Sequence, residues 1–95
     1  MAVKIIIERQ IKKGKEAEYS GLMRDMRAKA MLAKGYISGE TLRSQEKPNL
    51  YVVISTWKST EDWQAWIGSP VRNDLRARMD AILEQPPVTR IFDFA

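Results

Sequence analysis

The sequence predicts an α+β domain of order βαββαβ, with four strands forming one antiparallel sheet and the helices lying on one face of it. Three observations carry this. Runs rich in β-branched and aromatic residues stand near both ends of the chain and twice in its middle. Between them, two longer stretches repeat their apolar residues every three or four positions. The two middle runs are separated by a short polar segment, the signature of a hairpin. Since 95 residues leave room for one core only, residues 1–95 are read as a single domain.

The first strand is predicted over Val3–Ile11, where Val3, Ile5, Ile7 and Ile11 form one apolar face. Gly14 breaks that pattern. From Lys15 the apolar positions become Tyr19, Leu22, Met23, Met26, Ala30 and Ala33, an amphipathic helix of about five turns with Gly35 as its stop. Tyr36–Ser44 and Leu50–Trp57 read as a hairpin across Gln45–Asn49, where Pro48 suits a turn. Ser59-Thr60-Glu61-Asp62 has the form of a capping box and opens a short helix carrying Trp63, Trp66 and Ile67. Ser69-Pro70 restarts the helix, with Val71, Leu75, Met79, Ile82 and Leu83 as its apolar stripe, until Pro86-Pro87 ends it. Val88–Phe94 is the last strand.

Right-handed crossovers place both helical stretches on one side of the sheet, the ferredoxin-like arrangement. The other side then has no helix to cover it. In the first strand it carries Lys4, Ile6, Glu8 and Gln10. In the third strand Leu50, Val52 and Ile54 alternate with Tyr51, Val53 and Trp57, so both faces are apolar and periodicity cannot separate them. A homodimer packed sheet on sheet is the expected remedy.

Composition narrows the chemistry. The chain contains no cysteine and no histidine, which removes disulfides, thiolate and zinc ligand sets, His-ligated haem and every mechanism needing an imidazole base. The absence of cysteine also fits a reducing cytoplasm. No apolar run approaches the roughly 20 residues of a membrane span, and no signal-type segment is visible, so a soluble cytoplasmic protein without membrane contact is expected. The 16 basic residues are spread from Lys4 to Arg90, giving net charge +4 but no block, and no nucleic acid partner is expected. There is no Gly-rich phosphate loop. Ser55 or Ser59 with Lys58 offers a Ser-Lys pair of the kind found in any small domain.

The run Gly35–Arg43, then Trp57-Lys58-Ser59, then Trp66 and Ser69, together with Gly14, closely resembles the antibiotic biosynthesis monooxygenase family of dimeric α+β barrels. The resemblance covers nearly the whole chain. The family includes cofactor-independent oxygenases of polyketide phenols, quinol oxygenases, haem-degrading oxygenases and many members of other activity, so the resemblance narrows the fold more than the function. The haem-degrading branch carries an Asn on the first strand, a Trp on the short helix and a His ligand on the next. These positions fall on Ile7, Trp66 and Arg76. Only the Trp is kept, and an arginine has no lone pair to give iron, so haem is not an expected ligand and no cofactor is called for.

A cofactor-free oxygenase draws its electrons from the substrate's own phenolate or enolate, and the protein supplies a dry cavity and a means of holding the anion. The resemblance places that cavity between helices and sheet, lined by Ile7, Tyr19, Met23, Met26 and Trp66, with Arg76 facing a developing anion if it points inward. No catalytic residue is assigned. Met and aromatic residues at helical spacing are also ordinary core, and Arg72, Arg76 and Arg78 are also what a solvated helix face looks like. The alternative function is a non-catalytic dimeric domain that binds a small apolar or aromatic molecule or serves as an interaction module. A fully packed helix–sheet interface would favour that alternative.

Overall fold

The computed structural model describes residues 1–95 and contains β1 (Val3–Gln10), α1 (Glu16–Ala30), β2 (Tyr36–Arg43), β3 (Leu50–Trp57), α2 (Thr60–Ile67), α3 (Pro70–Asp80) and β4 (Val88–Asp93). The strands form one antiparallel sheet of order β2-β3-β1-β4, the ferredoxin-like topology predicted from the sequence. Alternation in β1 sets the layers. Val3, Ile5, Ile7 and Arg9 are buried in the core, while Lys4, Ile6, Glu8 and Gln10 are half-buried on the opposite face.

Register then decides what periodicity in β3 left open. Val3, Ile5, Ile7 and Arg9 stand opposite Trp57, Ser55, Val53 and Tyr51, so these four β3 residues share the core face. Leu50, Val52, Ile54 and Thr56 fall on the other. A register shift between Tyr36 and Ser38 keeps Tyr36 opposite Trp57 and leaves Ile37 exposed. The outer face carries Ile6, Val52 and Ile54, half-buried, and Leu42, Val88 and Phe92, exposed. Arg90 pairs with Glu8 there at 3.3 Å, and Lys4 sits 5.5 Å from the centre of the Phe94 ring.

α1 is a turn shorter than the spacing predicts. After Ala30 the chain tightens, with the Leu32 amide donating to the Lys29 carbonyl at 3.1 Å and the Ala33 amide to Ala30 at 2.9 Å. This brings Gly35, at φ 87°, against the start of α2, where its carbonyl accepts from the Lys58 amide at 2.8 Å. A Cβ at Gly35 would fall on the Asp62 side chain. Gly35→Ala therefore meets both a disfavoured backbone region and a steric clash, and should lower stability by about 1 to 3 kcal/mol from the backbone alone. A urea midpoint unchanged from the parent protein would contradict this account of the turn.

Both predicted helix caps form. The Ser59 hydroxyl accepts from the Asp62 amide at 3.1 Å, and the Ser69 hydroxyl accepts from the Arg72 amide at 3.3 Å with Pro70 in the first turn. Leu75 and Met79 carry the buried stripe of α3, and Ile82 and Leu83 reach the core from the turn after it, Leu83 bridging to Ile11. Val71 departs from the predicted stripe. It is exposed in the first turn of α3, over a surface groove shared with Leu32 and Ala33. No helix is long and apolar enough to cross a membrane.

Candidate functional site

Between the helices and the core face of the sheet lies a cavity of about 50 Å³, enough for about four waters. One wall is aromatic. The Trp57 ring lies 5.7 Å from Trp63 and 6.1 Å from Trp66, centre to centre, and all three line the cavity. Tyr36 meets Trp57 edge-on at 5.4 Å, and the Trp57 indole donates to the Ser55 hydroxyl at 3.1 Å. Ile7 and Val53 form the sheet side.

The opposite character comes from arginines. Arg9 is only 4% exposed, and its guanidinium donates to the Tyr19 hydroxyl at 3.4 Å and to the Met23 sulfur at 3.5 Å, both uncharged acceptors. Arg72, on the first turn of α3, lines the same cavity, and its pKa is lowered to about 10, first by desolvation and then by the charges of Arg9 and Arg76. Arg27 closes the rim by donating to the Thr41 hydroxyl at 2.8 Å. Beyond that rim a groove of about 440 Å³ runs between α1 and the β2–β3 edge, and Met23, Arg27 and Thr41 line both spaces.

Burial pushes the Tyr19 phenol above its ordinary value of 10, against the lowering effect of the Arg9 charge and hydrogen bond. Above that pH the unfolded chain holds fewer protons than the folded one, so stability falls as the pH rises past 10. Arg72, shifted downward to about 10, acts in the opposite sense above that pH. Melting curves from about pH 9 to pH 11 should therefore fall less steeply for Tyr19→Phe than for the parent protein. Parallel curves would mean that Tyr19 ionises in the folded state as freely as in the unfolded chain.

Over residues 2–78 the chain matches the antibiotic biosynthesis monooxygenase family. The chain belongs to this family. The monooxygenase-family fold extends over the rest of the chain as well. A conserved protein from Methanosarcina mazei Go1 superposes with TM-score 0.95 at 17% identity, over 100% of this chain and 94% of that one. Rv0793 from Mycobacterium tuberculosis gives 0.91 at 17% identity, covering 100% of this chain and 96% of its own. SnoaB from Streptomyces nogalater, a cofactor-independent oxygenase, gives 0.90 at 18%, covering 99% and 93%. At such identities the likeness is one of fold. No curated protein matches the chain.

The predicted site residues of this monooxygenase-family domain separate on folding. Ile7, Met23 and Trp66 line the cavity. Tyr19 lines the neighbouring groove, packs 4.7 Å from the Tyr51 ring and touches the cavity's edge through Arg9. Met26 is buried at 6% exposure within the core. Arg76 points outward, where its guanidinium pairs with Asp80 at 3.2 Å one turn along the exposed side of α3. Arg72, one turn earlier, takes the place at the cavity that the sequence reading gave conditionally to Arg76. Trp66 also borders the surface groove near Leu32, so its ring is a partition between cavity and surface.

Arg9 and Arg72 were missed by the sequence reading. The signal for Arg9 was present, since it falls in phase with Val3, Ile5, Ile7 and Ile11 as the one charge on an otherwise apolar face. Arg72 carried no comparable signal. The Ser-Lys pairs dissolve, because the Ser55 hydroxyl accepts from Trp57 and the Ser59 hydroxyl caps α2.

Haem does not fit this site. The chain has no histidine or cysteine, and burial holds the Tyr19 phenol in its neutral form, a poor iron ligand. No group of three or more acidic side chains comes together that could hold a metal ion.

Proposed function

We propose that this family member is a cofactor-independent monooxygenase of a small phenolic or quinol-like aromatic, working as a cytoplasmic homodimer. The observation that carries the reading is the cavity itself, with three indoles on one wall and guanidinium charge on another. Apolar walls exclude water, and fixed positive charge favours the phenolate over the phenol, which is the form able to give electrons to O₂. One oxygen atom bonds to the ring carbon opposite the hydroxyl and remains there as a carbonyl. The ring loses that carbon's hydrogen and the hydroxyl hydrogen as protons, the O–O bond breaks, and the second oxygen leaves as water. Phenol and O₂ thus give quinone and water, with O₂ as the only oxidant. Proton removal from the ring carbon is assigned to no side chain.

The homodimer is supported by the outer sheet face, where Ile6, Leu42, Val52, Ile54, Val88 and Phe92 share a surface that no helix of the chain covers. Native mass spectrometry should give twice 10.9 kDa.

The second reading, a non-catalytic dimer that binds a small apolar molecule or serves as an interaction module, is favoured by one observation, the tightness of the helix–sheet packing. A dry cavity of about 150 Å³ accommodates a single benzene ring, and this one holds about 50 Å³. A substrate ring must therefore displace the Arg27 rim toward the larger groove. An oxygen electrode separates the readings. 1-Naphthol added to the metal-free protein should consume O₂ one for one with 1,4-naphthoquinone formed, without peroxide, above the rate in buffer. Saturable binding with no uptake above that rate would leave the non-catalytic reading in place.

A further inference from the structure

Arg9 and Arg72 face one cavity from β1 and α3, and neither takes part in any of the three ion pairs of the chain. A charged side chain as buried as Arg9 ordinarily meets a carboxylate, because taking an unpaired ion out of water is costly. Here its acceptors are a phenol hydroxyl and a thioether, and the guanidinium fork retains donors that these two long contacts do not use well. The charge on Arg72 is disfavoured by burial and by Arg9, and the first turn of α3 carries no acidic residue to offset it. The positive end of α3 adds to the same field. Glu40 also lines the cavity and Asp80 partly offsets the charge on Arg72, but neither carboxylate forms an ion pair with Arg9 or Arg72, so two guanidiniums and a helix start are left to receive an anion.

We propose that Arg9 and Arg72 form a carboxylate-binding end of this cavity, so that the ligand is a hydroxylated aromatic acid whose ring lies against the tryptophans and whose carboxylate reaches the two arginines. Planar, bidentate recognition of a carboxylate is what paired guanidiniums provide best. The proposal rests on the cavity being the substrate site, as in the reading above, and it adds the class of substrate. Arg27, which donates to Thr41 at the rim, gives way toward the outer groove as the ring enters.

Salicylate and salicylamide, which share a ring and a hydroxyl and differ in charge, test this by quenching of the three tryptophans that line the cavity. Salicylate should bind about ten- to a hundredfold more tightly than salicylamide. Arg72→Gln, at a half-buried position, should bring the two affinities within about threefold of each other, mainly by weakening salicylate. Arg9→Gln, which removes the charge and keeps a shorter neutral donor, should do the same, and its melting curve shows whether it folds. The Arg72 variant decides alone if it does not. Equal affinities in the parent protein, a preference that survives Arg72→Gln, displacement of salicylate by equimolar acetate, or no saturable binding of salicylate would each overturn the proposal. Because the readout is binding without turnover, a protein inactive toward quinols can pass this test, and one that oxidises neutral quinols can fail it.

Discussion

Trp57→Ala should remove about 3 to 5 kcal/mol of stability, a large share of the roughly 5 to 15 that a domain of this kind possesses. The residue is 1% exposed and sits at the hub of four aromatic rings, with Tyr36, Trp63 and Trp66 all within 6.1 Å of its centre. Truncation opens a void beneath the helices and deprives the Ser55 hydroxyl of its donor. The milder series Trp57→Phe, Trp63→Phe and Trp66→Phe should grade the three positions. Trp66 borders the cavity on one side and a surface groove on the other, so it has fewer contacts to lose and should lower the melting temperature least. It should also change the response to small aromatic ligands most. If Trp66→Phe were the most destabilising of the three and left ligand binding unaltered, the ring would belong to the core and the cavity wall would have to be sought elsewhere.

Ile54→Glu should convert a dimer of about twice 10.9 kDa into a monomer at micromolar concentration. Ile54 lies on the outer face in the third strand, opposite Ile6 on one side and Glu40 on the other. A carboxylate there would be desolvated in any sheet-on-sheet interface and would stand beside a like charge. Light scattering of parent and variant over a range of concentrations reads the result directly. A parent protein that is monomeric throughout, or a variant of undiminished mass, would remove the sheet-on-sheet dimer. The face carrying Ile6, Leu42, Val52, Ile54, Val88 and Phe92 would then need another explanation.

The sequence by itself determined the order of elements, both serine caps, the full extent of β3 and the apolar stripes of α1 and α3 apart from Val71, with Ala33, Ile82 and Leu83 falling in the turns that follow the helices. These features are local. They follow from hydrophobic period, from the need of helix starts for a side-chain acceptor, and from the φ that glycine alone adopts freely, all of which act within a few residues along the chain. The face of β3 was not legible, because Tyr51 and Val53 are as apolar as Val52 and Ile54, and only pairing with β1 assigns them. The early end of α1 was not legible either, because the chain leaves the helix to pass Asp62, a residue more than twenty positions on. The site divided in the same way. Ile7, Met23 and Trp66 line the cavity, whose walls share the pattern of the core, whereas Met26 and Tyr19 carry that pattern and lie beside the cavity instead. Arg72 and Arg76 are one turn apart on one helix and alike in sequence, yet one faces the cavity with Arg9 and the other pairs with Asp80 in solvent. A charge acquires its role from the dielectric and the partners around it, and only the packing of α3 across β1 sets those.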